Sequence, residues 1–237
     1  MNKTAVLVNT CSRYHYIIPA FLTMLKRYWP EMVFPLYISS TGDLDKFRSI
    51  RDFIPLVMES DPGVLQSKLW GIERVAEEFV ILLQEDFLIE RFVDDTRIRN
   101  ICDVMESDER VGCVRLMPSP PGTGQVYGNT ELTRILKNKS YSFSFQAAMW
   151  RRTFLTNVMK DFINLRPWSE NARLDQLIEL NSQHFMPNYS HEILCVKRDG
   201  EEPNAVYRSP IPYRPTAIER GELAHWAKDL MEREGIL

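Results

Sequence analysis

The sequence predicts an α/β protein built on a mainly parallel sheet with helices on both faces. Short apolar runs alternate with helix-length amphipathic segments through the first two-thirds of the 237-residue chain, the pattern of βαβ units. One run, Phe79-Val80-Ile81-Leu82-Leu83, contains no polar residue, as a strand buried on both faces requires. It leads directly into Gln84-Glu85-Asp86-Phe87, two adjacent carboxylates at what would be the C-terminal edge of the sheet. Right-handed crossovers between parallel strands then place helices on both faces.

In chain order, Ala5 to Val8 is a first strand. Ile17, Ile18, Phe21, Leu22, Leu25 and Tyr28 recur at helical spacing, so a helix runs up to Pro30. Phe34 to Ile38 is a second strand, closed by the turn residues Thr41-Gly42-Asp43. A short helix is expected over 45–53 and a third strand over 54–58. Leu69, Ile72, Ala76 and Phe79 align along a helix over 65–78, and the fourth strand, 79–83, follows. Beyond it the pattern loosens. Asp95 is placed to cap a helix carrying Ile98, Ile101, Cys102 and Met105, and 111–116 is a strand. The alternation Tyr141/Phe143/Phe145 predicts a half-exposed strand over 141–150. Ser169 is placed to cap a helix reaching Leu180, and 193–196 is a late strand. Four prolines over 201–215 predict an extended segment. Leu223, Trp226, Ala227, Leu230 and Met231 mark a closing amphipathic helix over 221–234.

Lysine and arginine (29) nearly balance aspartate and glutamate (32), for a net charge of −3. That balance gives no general pull toward nucleic acid or an anionic membrane. No apolar run approaches the ~20 residues of a membrane span. The run Ala5 to Val8 is too short for the core of an export signal, so a cytoplasmic protein is expected. Cys11, Cys102, Cys113 and Cys195 are dispersed with no CxxC spacing, and read as free thiols rather than zinc ligands. The loop around Gly122-Thr123-Gly124 lacks the Gly-Lys-Ser/Thr ending of a P-loop.

Ligands of open α/β sheets bind at the carboxyl edge. Carboxylates there are hard oxygen donors suited to Mg²⁺ or Mn²⁺ and, through the metal, to a diphosphate. Taken alone, an acidic pair at a strand end equally serves as a solvated turn or a helix N-cap.

Four passages give this sequence a family likeness. They are the strand and loop from Ala5 to Tyr14, the helix and strand from Lys68 to Phe87, the segment Ser144 to Phe154, and Pro167-Trp168-Ser169-Glu170. Together they resemble the GT-A glycosyltransferases, most closely small family-2-like members, over roughly residues 3–200. The acidic pair then stands where the family carries its DxD motif, here the triplet Glu85-Asp86-Phe87 with no second aspartate.

The resemblance implies a GT-A (Rossmann-like) domain over 1–200. Its nucleotide-binding half would be 1–116 and its less regular acceptor half 117–200. The proline-rich segment and C-terminal helix follow over 201–237. It implies that Asp86, with Glu85, binds Mn²⁺ or Mg²⁺ and the sugar diphosphate. Thr10, Cys11 and Arg13 would lie against the nucleotide, with Arg13 meeting a phosphate. Lys68 would pair with the diphosphate, and Asp43 and Asp61 would contact the base. The alternatives for these charged residues are turn and surface roles. Glu170 is the expected general base of an inverting transfer, with Asp175 next in line. A glutamate there is also what a helix dipole favours. Trp168 would stack on the acceptor sugar. Arg151 and Arg152 would flank the diphosphate or form a solvated pair. The function implied is transfer of a sugar from a nucleotide-sugar donor, UDP-linked by preference, to a hydroxyl of a glycan or glycolipid acceptor. The alternative is a degenerate module that binds nucleotide sugar without turnover. A nucleotidyltransferase would need an early Gly-rich loop with a downstream lysine, which this sequence lacks. A monomer or homodimer is expected, with the C-terminal helix the one element suited to peripheral membrane contact.

Overall fold

From the N-terminus the chain forms β1 (Thr4–Asn9), α1 (Ile18–Tyr28), β2 (Leu36–Thr41), β3 (Ile54–Met58), α2 (Val64–Arg74) and β4 (Phe79–Gln84). Then come α3 (Asp95–Ser107), β5 (Val111–Arg115), β6 (Leu132–Arg134), β7 (Ala148–Arg151) and α4 (Arg152–Asn164). The chain closes with α5 (Leu174–Leu180), α6 (Ser182–Phe185), β8 (Glu192–Val196), β9 (Ile218–Glu219), β10 (Glu222–Leu223) and α7 (His225–Arg233). The structure, a computed structural model, describes residues 3–165, 173–197 and 209–237.

Eight strands make one sheet in the order β3-β2-β1-β4-β7-β5-β8-β6. The β3-β2-β1-β4 half is parallel throughout, and β5 pairs parallel with β8. Strand β7 runs antiparallel between β4 and β5, and β6 is an antiparallel edge. The apolar runs have no polar face because both faces are covered. Val6, Val8, Ile81 and Leu83 point into one core with residues of α1, α3 and α7. Ala5, Leu7, Val80 and Leu82 point into the other with residues of α2, α4 and α5.

Several sequence expectations shift. The segment 45–53 forms only one 3₁₀ turn, Asp45–Phe47. Helix α2 stops at Arg74, and Val75 is extended (φ −70°, ψ 131°) as the chain turns into β4. Asp94, not Asp95, caps α3 by accepting from Arg97 N at 3.0 Å. Asp95 instead accepts from Trp29 Nε1 at 3.0 Å. The strand expected over 141–150 is confined to β7. Phe143 and Phe145 are both buried in the second core, and the neighbouring Ser142 and Ser144 are buried as well. That segment is not alternating because Glu179 draws it inward, accepting from Ser144 Oγ at 2.9 Å and Phe145 N at 2.7 Å.

The residues after 208 are built into the sheet's carboxyl edge. Pro210 O and Pro212 O accept from Asp94 N and Glu90 N at 2.9 and 3.0 Å. The Tyr213 ring stacks on Phe87 with centroids 4.3 Å apart. Its hydroxyl accepts from Ala147 N at 2.9 Å and donates to Gln146 Oε1 at 2.8 Å. The expected C-terminal helix is shorter than 221–234, because 218–223 is the β9–β10 hairpin. In α7, Ala227, Leu230 and Met231 are buried and Trp226 packs on the first core. Among the described residues, no helix is long and apolar enough to cross a membrane.

Gly71 sets how closely α2 lies on the ends of β1 and β2. A Cβ there would fall 2.7 Å from Ser39 Oγ, 2.9 Å from Ser39 Cβ and 3.0 Å from Asn9 Oδ1. Gly71→Ala should therefore destabilise the fold by ~1–3 kcal/mol through overpacking, despite alanine's better helix propensity. Urea unfolding checks this, with a lower midpoint at an unchanged slope as the expected outcome.

Candidate functional site

The carboxyl ends of β1, β2 and β4 open into a cleft of about 950 Å³. Its wall includes Thr10, Cys11, Arg13, Asp61, Lys68, Glu85, Asp86 and Asp175 from the residues singled out in the sequence. Segments 75 residues apart meet there because β1 and β4 pair in register, Asn9 beside Gln84.

Strand β4 pushes Glu85 and Asp86 into a place where little water reaches them, leaving them 7% and 8% exposed. Burial opposes ionisation. It raises Glu85 to about 8, with the Asp86 charge adding to the effect and the Thr10 hydroxyl and Lys68 opposing it. Burial also raises Asp86, to about 6, against the pull of Lys68 and of backbone N–H groups. The Thr216 hydroxyl donates to Asp86 Oδ2, and Ala217 N donates to Asp86 O at 3.2 Å.

Lys68, from the second turn of α2, is buried. Its ammonium lies 3.4 Å from Gln84 Oε1 and 5.1 Å from the centre of the Phe145 ring. Burial lowers its proton affinity, while Glu85, Asp175, Asp86 and Glu179 restore part of it. Cys11 is held protonated, chiefly by burial and then by the Glu85 charge, which disfavours a nucleophilic thiolate. Asp61 Oδ1 accepts from Gly63 N at 2.9 Å and Ser67 Oγ at 3.1 Å, so it shapes the entry to α2 as well as lining the cleft.

Other sequence candidates fall elsewhere. Asp43 does not line the cleft, and its carboxylate closes a turn by accepting from Asp45 N at 2.9 Å. Arg151 and Arg152 sit at the opposite end of β4, where Arg151 pairs with Phe79 across the sheet. They bind Glu78 Oε1 at 2.6 Å and Glu77 O at 2.9 Å and so staple that edge. Trp168 and Glu170 lie outside the described residues. The sequence reading missed Asn9, Gln84, Arg173, Thr216 and Arg220, all of which line the cleft. Gln84 was open to detection as the residue that ends β4. Nothing local marks Thr216 or Arg220.

No three acidic, histidine or cysteine side chains converge to cage a metal among the described residues. The donor set that exists, two adjacent carboxylates facing a cleft, fits a cation that shares its coordination with substrate phosphates and water.

No protein-family model matches the sequence, and a search of the curated proteins returns no match. Solved structures do match in fold. CMP:2-keto-3-deoxy-manno-octonic acid synthetase in complex with CTP superposes with a TM-score of 0.53 at 10% identity, covering 100% of both chains. TarS from S. aureus superposes with a TM-score of 0.50 at 15% identity, over 84% of this chain and 36% of that one. TarS residues 1–349 in complex with UDP gives 0.50 at 14% identity, over 84% and 59%. This chain thus spans well under two-thirds of TarS. The shared feature is the α/β architecture, a mainly parallel sheet covered by helices, found in both TarS and the synthetase. At these identities the likeness is one of fold.

The acidic pair makes stability depend on pH. Both carboxyls hold protons in the folded state that the unfolded chain has already released, so stability falls as pH rises from their ordinary values of 4.5 and 3.8 to about 8 and 6. Glu85→Gln removes most of that dependence. Its thermal midpoint should exceed that of the parent at pH 8 and approach it near pH 5, measured by circular dichroism.

Proposed function

We propose that this protein transfers a sugar from a nucleotide-sugar donor, UDP-linked by preference, to a hydroxyl of a glycan or glycolipid. The observation that carries the reading is the cleft. A buried strand delivers Glu85 and Asp86 to the carboxyl edge of the sheet, with Lys68 buried nearby and Arg13 lining the same cleft. Thr10 and the loop to Tyr14 offer a small hydroxyl and backbone groups suited to the edges of a pyrimidine base.

In this reading Glu85 and Asp86 hold Mn²⁺ or Mg²⁺, and the bound cation supplies neutralising charge for a leaving diphosphate. Lys68 and Arg13 add positive charge on the same side, preorganised in a site where water screens weakly. The acceptor hydroxyl gives its proton to a carboxylate facing the donor. Asp175, in the first turn of α5, lines the cleft and is the candidate among the described residues. Glu170 remains the sequence's own choice. Attack opposite the leaving group then inverts the anomeric carbon.

The hold of Thr216 on Asp86 and the lack of a second aspartate favour a second reading, a nucleotide-sugar-binding module without turnover. Incubation of the protein with a panel of nucleotide sugars, Mn²⁺ and candidate glycans separates the two. Transferred sugar with inverted configuration by NMR supports the enzyme. Binding without transfer or hydrolysis supports the module, and pyrophosphate released from CTP and a sugar acid would point to nucleotidyl transfer instead. Asp86→Asn should weaken cation-dependent donor binding about tenfold or more. Asp175→Asn should lower kcat by about 10²–10⁴ with little change in donor binding.

A further inference from the structure

Among the described residues, nearly every arginine has a partner for its guanidinium. Arg27, Arg48, Arg99, Arg110, Arg134, Arg173 and Arg233 pair with carboxylates, and Arg51 and Arg115 cap backbone carbonyls. Arg13 and Arg220 alone make neither a hydrogen bond nor an ion pair through the guanidinium in this set. Arg13 rests only near the Tyr14 ring, 5.7 Å from its centre. Both line the cleft that holds Glu85 and Asp86.

They come from opposite ends of the chain, and the β9–β10 hairpin brings them together. Thr216 and Ala217 fasten the base of that hairpin to Asp86. Ile218 pairs with Leu223 and Glu219 with Glu222, and Ala224 N donates to Ala217 O at 2.9 Å. The tip is Arg220-Gly221, both in the left-handed region with φ of 54° and 89°. Gly221 suits its place through its backbone. Its φ favours glycine, and a Cβ there would lie 3.0 Å from Arg13 Nη2. Arg13 therefore packs against the residue next to Arg220, and the Tyr16 hydroxyl donates to Gly221 O at 3.4 Å from the same loop.

We propose that Arg13 and Arg220 form a two-arginine clamp for the diphosphate of the donor, with the hairpin as the mount for Arg220. Two guanidinium groups on one rim, neither satisfied by a carboxylate, call for an anion with several acceptor oxygens, which a diphosphate supplies. Arg220 thus joins the substrate-contacting residues, and Thr216 is a positioning residue that ties the hairpin to Asp86. The assignment rests on reading the cleft as a nucleotide-sugar site.

Calorimetric titration of the full chain with UDP and with uridine, in Mn²⁺ and at two salt concentrations, tests it. Arg220→Asn is the chosen variant because asparagine tolerates φ near 54°, and its thermal midpoint checks that the fold is intact. The expected result is a loss of about ten- to a hundredfold in UDP affinity, with a shallower salt dependence and no change for uridine. Arg220→Lys should recover part of the loss. If the parent binds UDP and Arg220→Asn binds it equally well, the clamp is wrong while the reading of the cleft stands. If the parent binds no nucleotide of a UDP, GDP and CMP panel, the reading of the cleft fails and the clamp with it.

Discussion

The ligand edge of this molecule depends on holding two carboxylates side by side where little water reaches them. Strand β4 is apolar on both faces, so its register is fixed by two cores at once, and the residues after it have no freedom to swing into solvent. Glu85 and Asp86 are left buried at its end. Desolvation and mutual repulsion both oppose their charged forms. The surroundings answer only in part, with a buried ammonium from Lys68, the hydroxyls of Thr10 and Thr216, and backbone N–H groups from the C-terminal segment. An arrangement that buries two carboxyls against their tendency to ionise is a poor way to gain stability. It is the kind of local conflict that functional sites retain.

The contact that relieves Asp86 is also the most non-local one in the site. Thr216 lies 130 residues from Asp86 in sequence. It is brought there by a chain of anchors, each modest alone. Two backbone bonds reach Pro210 and Pro212, Tyr213 fills a buried slot against Phe87, and the buried Glu90 holds Arg214 at 3.2 Å. Phe87, directly after the acidic pair, is buried. In this chain that position is spent on packing, as the platform for Tyr213. The residue next to the acidic pair thus supplies the seat for the segment that packs over it.

The parts legible in the sequence were those governed by local rules. Runs such as Ala5 to Val8 and Phe79 to Leu83 declare buried strands, and α1 and α3 declare themselves by spacing. Where tertiary demands overrode the local pattern, the reading slipped. Tyr141/Phe143/Phe145 alternates like a strand, yet Glu179 and two aromatic contacts of Phe143, at 5.0 and 5.1 Å to Phe145 and Trp150, bury 142–145 on both sides of the chain and leave only Tyr141 exposed. Asp94 and Asp95 are chemically equal candidates for one cap, and only the indole of Trp29, which needs an acceptor, decides between them. Much of the cleft's first wall was readable because it follows strands. Thr216, Arg220 and Gly221 were not, because their importance comes from what lies across the cleft.

The charges around the cleft also sort themselves by need. Arg173 is satisfied by Asp175 at 3.2 Å, Asp61 by its own turn, and Lys68 by the field of four carboxylates. What remains is a carboxylate pair short of positive charge and an arginine pair short of negative charge, lining one cleft. They do not neutralise each other directly, since neither Arg13 nor Arg220 forms an ion pair with Glu85 or Asp86 among the described residues. A ligand carrying one sign only would relieve one pair and leave the other. In the proposed reading, a diphosphate with an associated divalent cation would carry both. Phosphate oxygens would then meet the arginines and a cation the carboxylates, with the hairpin that Thr216 ties to Asp86 linking the two.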